Sequence, residues 1–307
     1  MKTPSQFPSP LRKALPLLFC LILATGAPVR AGDGASWPED QFGLFQPVAD
    51  YFRNWFPRVT EIQSEQPHWI TPLVTVTPRL EEELRYDQSF QSMQHGAMLT
   101  NYGSGKGLEL IPWYNIEVIL GIPNYESHEA PGKAGAKARG SDDFGDWTAL
   151  VKYRILSANE KTGNYILTAF IGFSAPTGTE GNSTGHAQFT PTIALGKGWG
   201  DFDFQSTVGV TFPNGGSDRL GTPVAYNTAV QYRLFKYFWP EFETNYTWYP
   251  SGEHTGKNQL FLTPGLIIGR LPIWERVGAT FGAGFQVAVT KYNSYHNAWI
   301  LTARIPF

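Results

Sequence analysis

Cysteine is almost missing from this chain: 307 residues contain one, Cys20. Charge is sparse too, with 24 Lys and Arg and 26 Asp and Glu, 16% of residues against about 25% in a typical soluble domain. No segment after the first 31 residues holds 18 consecutive apolar residues, so no helix spanning a bilayer is expected there. Mean hydropathy is −0.24, which also excludes a helical membrane protein. The lack of a basic excess argues against nucleic-acid binding. Set against these shortages are 45 aromatic residues (Trp 10, Tyr 14, Phe 21) and 32 glycines.

The N-terminus reads as an export signal. Arg12 and Lys13 precede an apolar run, Ala14 to Ala24, too short to cross a bilayer as a helix. Val29-Arg30-Ala31 places small residues at the −3 and −1 positions, so cleavage is expected after Ala31. Cys20 belongs to this signal; Phe19 before it is too large for a lipoprotein site. Removing Lys2, Arg12, Lys13 and Arg30 leaves 20 bases against 26 acids, a net charge of −6 with no cysteine. Disulfide scaffolds and thiol or zinc–thiolate chemistry are thereby excluded.

Residues 32–78 form an extension. Ser36-Trp37-Pro38-Glu39 has the form of a capping box. Phe42, Phe45, Ala49, Phe52 and Phe56 then recur at helical spacing, giving an amphipathic helix over 37–56 with an aromatic face. Pro47 is expected to kink it and Pro57 to end it. Three placements stay open: in the periplasmic mouth of a barrel, on the inner leaflet, or on a periplasmic partner; packing on or in the barrel is preferred. A Pro- and Thr-rich connector, Pro67 to Pro78, follows.

From Arg79 the period changes to two. Phe202, Phe204, Ser206, Val208, Val210 and Phe212 alternate with Asp203, Gln205, Thr207, Gly209 and Thr211; Val277 to Val289 repeats the pattern against Gly278, Thr280, Gly282, Gly284 and Gln286. Twelve such segments run at about 79–91, 106–112, 115–124, 146–156, 164–175, 187–196, 201–212, 223–234, 238–249, 259–270, 275–289 and 297–307. Many reach the ~9–11 residues needed to cross a bilayer at a tilt, longer than the ~5–6 of globular strands. Long and short connections alternate, as in outer-membrane barrels. Closure leaves no backbone group unpaired in lipid. The expected fold is therefore all-β: a transmembrane antiparallel up-and-down β-barrel of about twelve strands at 79–307, both termini in the periplasm. Trp113, Trp147, Tyr165, Trp199, Trp239, Trp248, Tyr249, Trp274 and Trp299 are read as interfacial girdles. Trp299, Leu301, Ala303, Ile305 and Phe307 alternate to a terminal phenylalanine, a closing-strand signal for the barrel assembly machinery.

Parity places Glu81, Glu83, Arg85, Asp87, Glu109, Glu117, Lys152, Arg154, Arg233, Glu241, Glu243, Arg276 and Arg304 toward the lumen. Glu117 is expected beside Lys152 and Arg154, Arg233 beside Glu241 and Glu243, and Arg304 across the closing seam from Glu81 and Glu83. Such a set either forms a paired network stiffening the lumen or a charged constriction selecting solutes.

Asp143-Phe144-Gly145-Asp146 leading to Val151-Lys152-Tyr153-Arg154, then Ala175-Pro176-Thr177-Gly178, Tyr232-Arg233-Leu234, Glu241 and Leu262-Thr263-Pro264-Gly265, stand in an order that resembles the outer-membrane proteins named for the meta-pathway of phenol degradation. The resemblance covers Arg79 to Phe307 and implies a transporter or channel for aromatic or other hydrophobic compounds. The helix at 37–56 lies outside it.

The expected function is an outer-membrane channel or transporter for small molecules, its partners being outer-membrane lipid, the assembly machinery and a solute. A non-conducting structural or adhesive barrel acting through its loops is the alternative. A membrane hydrolase would need a Ser–His pair; none of the six histidines (His68, His95, His128, His186, His254, His296) stands in a His-x-Ser arrangement. Asp142 and Asp143 read as a solvated loop rather than a cation site, and His186 and His254 as rim residues. No catalytic residue, metal or cofactor is expected.

Overall fold

The computed structural model describes residues 46–103, 106–130 and 141–307. The export signal, the capping box, Phe42 and Phe45 lie outside them. The chain divides into two compact units, residues 1–52 and 53–307. Of the first, α1 (Gln46–Arg53) is described: Pro47 sits in its first turn, where a missing N–H costs nothing, and Val48 and Phe52 are exposed.

The second unit opens with α2 (Trp55–Ser64). The two helices meet at Asn54, so the helix expected over 37–56 continues further and is broken there. Pro57 does not end it: in the first turn of α2 it forfeits no intrahelical bond.

Twelve strands follow. They are β1 (Glu83–Ser92), β2 (outer part Met98–Tyr102, inner part Gly107–Trp113), β3 (inner part Ile116–Gly121, outer part Tyr125–Glu129), β4 (Asp143–Phe144 and Trp147–Ala158), β5 (Tyr165–Ala175) and β6 (Gln188–Trp199). Then come β7 (Phe202–Val210), β8 (Val224–Tyr232), β9 (Phe238–Trp248), β10 (Asn258–Trp274), β11 (Val277–Ala288) and β12 (Asn297–Pro306). Each pairs antiparallel with its sequence neighbours. β1 pairs with β12 from Glu83 opposite Pro306 to Ser92 opposite Asn297, closing the barrel. Among the described residues no helix is long and apolar enough to cross a membrane; crossing is the work of the strands.

One end, here called inner, carries short turns at 114–115, 159–164, 200–201, 233–237 and 275–276; the longer outer connections include 176–187, 211–223 and 249–257. At the tightest inner turns the backbone enters the left-handed region at Asn115 and Gly200. The segments Met98–Tyr102 and Tyr125–Glu129, read from the sequence as loop, are the outer parts of β2 and β3, and a short break at 122–124 separates the two parts of β3. Their alternation is too short and too polar to register as a strand.

The outward face is apolar. Tyr153, Ile171, Leu195, Val208, Phe242, Phe281 and Leu301 are each more than 40% exposed, whereas Lys152, Gln205, Glu243, Thr263 and Arg304 are buried. This inverts a soluble sheet and suits lipid outside and a polar lumen inside. Trp113, Trp199 and Trp274 at the inner end, and Trp248 and Trp299 at the outer, are exposed as girdle residues should be. Trp239 is a correction: its register points it inward, where it is 5% exposed among Trp69, Ile70, Leu73, Ile166 and Ile267. Trp299, Leu301 and Ile305 face outward on β12, and the Phe307 N–H donates to the Glu82 carbonyl.

Candidate functional site: a segment inside the barrel

The Pro- and Thr-rich stretch is not an external connector. Residues 65–82 enter the barrel from its inner end, turn within the lumen and leave at the same end to begin β1. The base of this loop is closed by Gln66, whose side chain accepts from the Leu80 N–H and donates to its carbonyl at 2.9 and 2.7 Å. Inside the loop, Arg79 donates to the carbonyls of Pro67 and Trp69 and pairs with Glu81 at 2.8 Å.

An irregular segment buried in a lumen carries backbone donors and acceptors that no neighbour strand satisfies. Three features meet that need. Pro67, Pro72 and Pro78 have no N–H to satisfy. Four of the remaining N–H groups go to carboxylates of the wall: Leu73 to Glu241 at 3.1 Å, Val74 and Thr75 to the two oxygens of Glu243 at 2.8 and 2.6 Å, and Glu81 to Glu117 at 2.7 Å. Five of the segment's carbonyls go to cations and amides of the wall: Arg304 donates to Thr71 and Pro72, Arg85 to Leu73 at 2.6 Å, Lys152 to Arg79 at 3.0 Å and Gln205 to Ile70 at 3.1 Å. Thr77 and Thr168 add hydroxyl bonds to Gln205 and the Pro78 carbonyl.

The wall is hollowed to receive the segment. A Cβ placed on Gly265, Gly282 or Gly284 would stand 2.5, 2.7 and 2.7 Å from a Leu73 methyl, and one on Gly196 2.5 Å from Trp69. With Arg79, Arg85, Lys152 and Arg304 all at 2% exposure or less, the lumen is filled at this level.

The sequence-derived lumen set divides. Glu83, Arg85, Glu109, Glu117, Lys152, Glu241, Glu243 and Arg304 are buried within the barrel, and Lys152 pairs with Glu117 at 2.9 Å. Arg154 is turned to α2: it meets Glu65 at 2.8 Å and donates to the Ile62 carbonyl, a cation on a helix C-terminus. Glu81 precedes β1 and belongs to the inserted segment, where it also pairs with Arg270. Arg304 stands opposite Arg85 rather than Glu81 or Glu83, because the seam register sets Glu83 against Pro306; two like charges face one another there because both guanidiniums turn to carbonyls of the inserted segment. Arg233 is not beside Glu241 and Glu243. It lies past the end of β8 and pairs with Asp201 at 2.6 Å, nearly half exposed. Arg276, also outside the lumen, lies in the β10–β11 turn over the ring of Phe56.

At the inner mouth, Val59 and Ile62 of α2 pack with Leu80 and Ile111. His68 donates its backbone N–H to Glu160 at 2.6 Å and sets its ring 2.9 Å from the same carboxylate. Burial opposes ionisation of Glu160, but these bonds outweigh it and hold the carboxyl below its usual range.

At the outer end, two motifs that carry the family resemblance touch. Gly178 and Thr184 donate backbone N–H groups to Asp146, each at 3.0 Å, and Trp147 donates to the Thr177 hydroxyl at 2.9 Å. A Cβ on Gly178 would meet Gly145 at 2.8 Å, which explains a glycine there. Burial works against the Asp146 charge, yet the donors prevail and lower its pKa. Asp142 and Asp143 are engaged with backbone N–H groups of His128 and Phe144. Among the described residues no group of three or more His, Cys, Asp or Glu could hold a metal ion.

What sequence reading missed was the destination of residues 65–82. The signals were present: Trp69, Ile70, Leu73, Val74 and Val76 make the stretch too apolar for an exposed linker, and the inward parity of β11 is mostly glycine.

No protein-family model matches the chain, and no curated protein matches it. Among solved structures, the chain is similar to the COG4313 outer membrane channel from Pseudomonas putida F1, with 14% identity, a TM-score of 0.49, and coverage of 78% of this chain and 100% of that one. It is similar to the NanC porin at 12% identity and TM-score 0.47, covering 73% and 98%. The KdgM porin gives 8% and 0.43, covering 73% and 99%. These are likenesses of form at low identity; the closed barrel rests on the β1–β12 pairing of this chain. The class defined by fold and surface is a twelve-stranded transmembrane barrel of the outer-membrane type, its lumen occupied by its own N-terminal segment.

Proposed function

We propose that the chain is an outer-membrane channel for small solutes whose lumen is closed by residues 65–82 and opens when that segment shifts. The observation that carries this reading is how the segment is held. Among the described residues it makes no strand pairing with the wall. Its bonds are mostly side chain to backbone, the type that water or a polar solute replaces one at a time. The wall behind it, glycine at 196, 265, 282 and 284 and polar between, would line a pore if it withdrew. A barrel meant only as a scaffold has no need of a wall hollowed around a separable segment.

Apolar or aromatic solutes, the meta-pathway family resemblance, export through a cleaved signal and insertion by the assembly machinery through Trp299, Leu301, Ile305 and Phe307 are parts of the same proposal. Planar-bilayer recording of the purified mature chain tests it. Brief openings are expected from the wild type, and longer ones when Glu241 and Glu243 are both changed to Gln. Silence from both, with heat-modifiable gel mobility showing folded barrels, would favour the non-conducting barrel that acts through its loops.

A further inference from the structure

Above the inserted segment, in the outer half of the lumen, lies a cavity of about 250 Å³. Its floor is Val76 of the segment, its wall includes Ile119, Leu150, Gly172 and Ser174, and Lys106 lies at its edge. The aliphatic side chains and the bare backbone of Gly172 make it largely apolar. An engineered cavity of about 150 Å³ takes benzene, so this one holds a single ring with a short substituent and little more.

Lys106 makes it a selective site. Among the described residues the other basic side chains of the lumen are committed: Arg79 to Glu81, Arg85 to Asp87 and Leu73, Lys152 to Glu117, and Arg304 to Thr71 and Pro72. Lys106, half-buried, closes no hydrogen bond or short ion pair among the described residues, although the charges of Asp87, Glu109, Arg85 and Arg304 act on it from within the lumen. An apolar chamber whose one lysine is held by no hydrogen-bonded carboxylate among the described residues matches a ligand with an apolar body and one negative charge. We infer that this cavity binds a small monoanionic ring compound, of the aromatic carboxylate class, with its carboxylate on Lys106 and its ring on Val76, Ile119 and Leu150. The inference deepens the channel reading by naming the solute. Because Val76 belongs to the segment that fills the lumen, an occupant would touch the element that must move.

Binding is measured apart from conduction, so the two readings fail separately. Calorimetric titration of the mature chain in a non-ionic detergent would compare benzoate with benzamide, its near-isosteric neutral counterpart. Benzoate should bind about tenfold or more tightly, the scale of one charge-assisted hydrogen bond. Lys106→Met should reduce benzoate to the benzamide level and leave benzamide unchanged, and Lys106→Arg should keep the preference. Gly172→Leu, which fills the chamber, should abolish both. Equal binding of the two compounds by the wild type, binding of neither, or an undiminished preference in Lys106→Met would each overturn the inference, whatever the conductance shows.

Discussion

Glu243 holds two consecutive backbone N–H groups of the inserted segment, and its neighbour on the same face, Glu241, holds a third. Removing such an acceptor leaves buried donors unpaired, so Glu243→Ala should lower the stability of the folded barrel by about 3 kcal/mol, seen as an earlier urea midpoint for loss of heat-modifiable mobility. Lys152 is a sharper case. Lys152→Met would strand the Glu117 carboxylate in the wall, and breaking one side of a buried pair costs about 3–5 kcal/mol; Lys152→Met with Glu117→Gln should recover most of that loss. Glu160, bound by the backbone N–H and ring of His68, carries the pH dependence at the inner mouth. The folded carboxyl of Glu160 lies below its ordinary value, so its contribution is complete above the ordinary carboxylate range and fades as pH falls through the depressed value. Acid should therefore loosen the entry of the segment, read as increased protease cleavage near His68, and Glu160→Gln should show that looseness already at neutral pH.

At the level of elements, the barrel was legible and its content was not. Period-two alternation placed most of the twelve strands within a few residues of their observed ends, because lipid on one face and polar filling on the other impose that period; β1 begins at Glu83 rather than Arg79, since residues 79–82 belong to the inserted segment, β10 runs on to Trp274, and bulges interrupt the period in β4 and β10. β2 and β3 were read short because their outer parts alternate weakly. The inserted segment escaped because an irregular strand in a lumen obeys no period; only its partners betray it, and they lie as far as 233 residues away. Most of the charges that parity turns inward are buried in the barrel, and Glu117 meets Lys152 as expected, but Arg154, Arg233 and Arg304 meet other partners. Parity pairs side chains across strands, whereas many of these side chains bind backbone of the inserted segment. β11 offers a test of fit. Gly284→Val would thrust a branched side chain into the place of the Leu73 methyl, overpacking that costs about 1–3 kcal/mol, and should shift the segment rather than the wall. Trypsin or chymotrypsin susceptibility of residues 65–82 should rise while the barrel core stays protected.

The whole molecule is a polar lumen enclosed by an apolar surface, and the scarcity of charge follows from that arrangement. Few charges suffice because the wall spends them on one segment, and lipid forbids them elsewhere. The absence of cysteine after Cys20 provides the most direct test of whether residues 65–82 are the gate. Leu73 and Gly284 are in contact across the lumen, so Leu73→Cys with Gly284→Cys should form a disulfide under mild oxidation. Single-channel recording of this variant should give a silent barrel when oxidised and restored openings when a reductant is added, with the wild type indifferent to both treatments. Equal conductance of the oxidised and reduced forms, with the disulfide verified by mass spectrometry, would contradict the account.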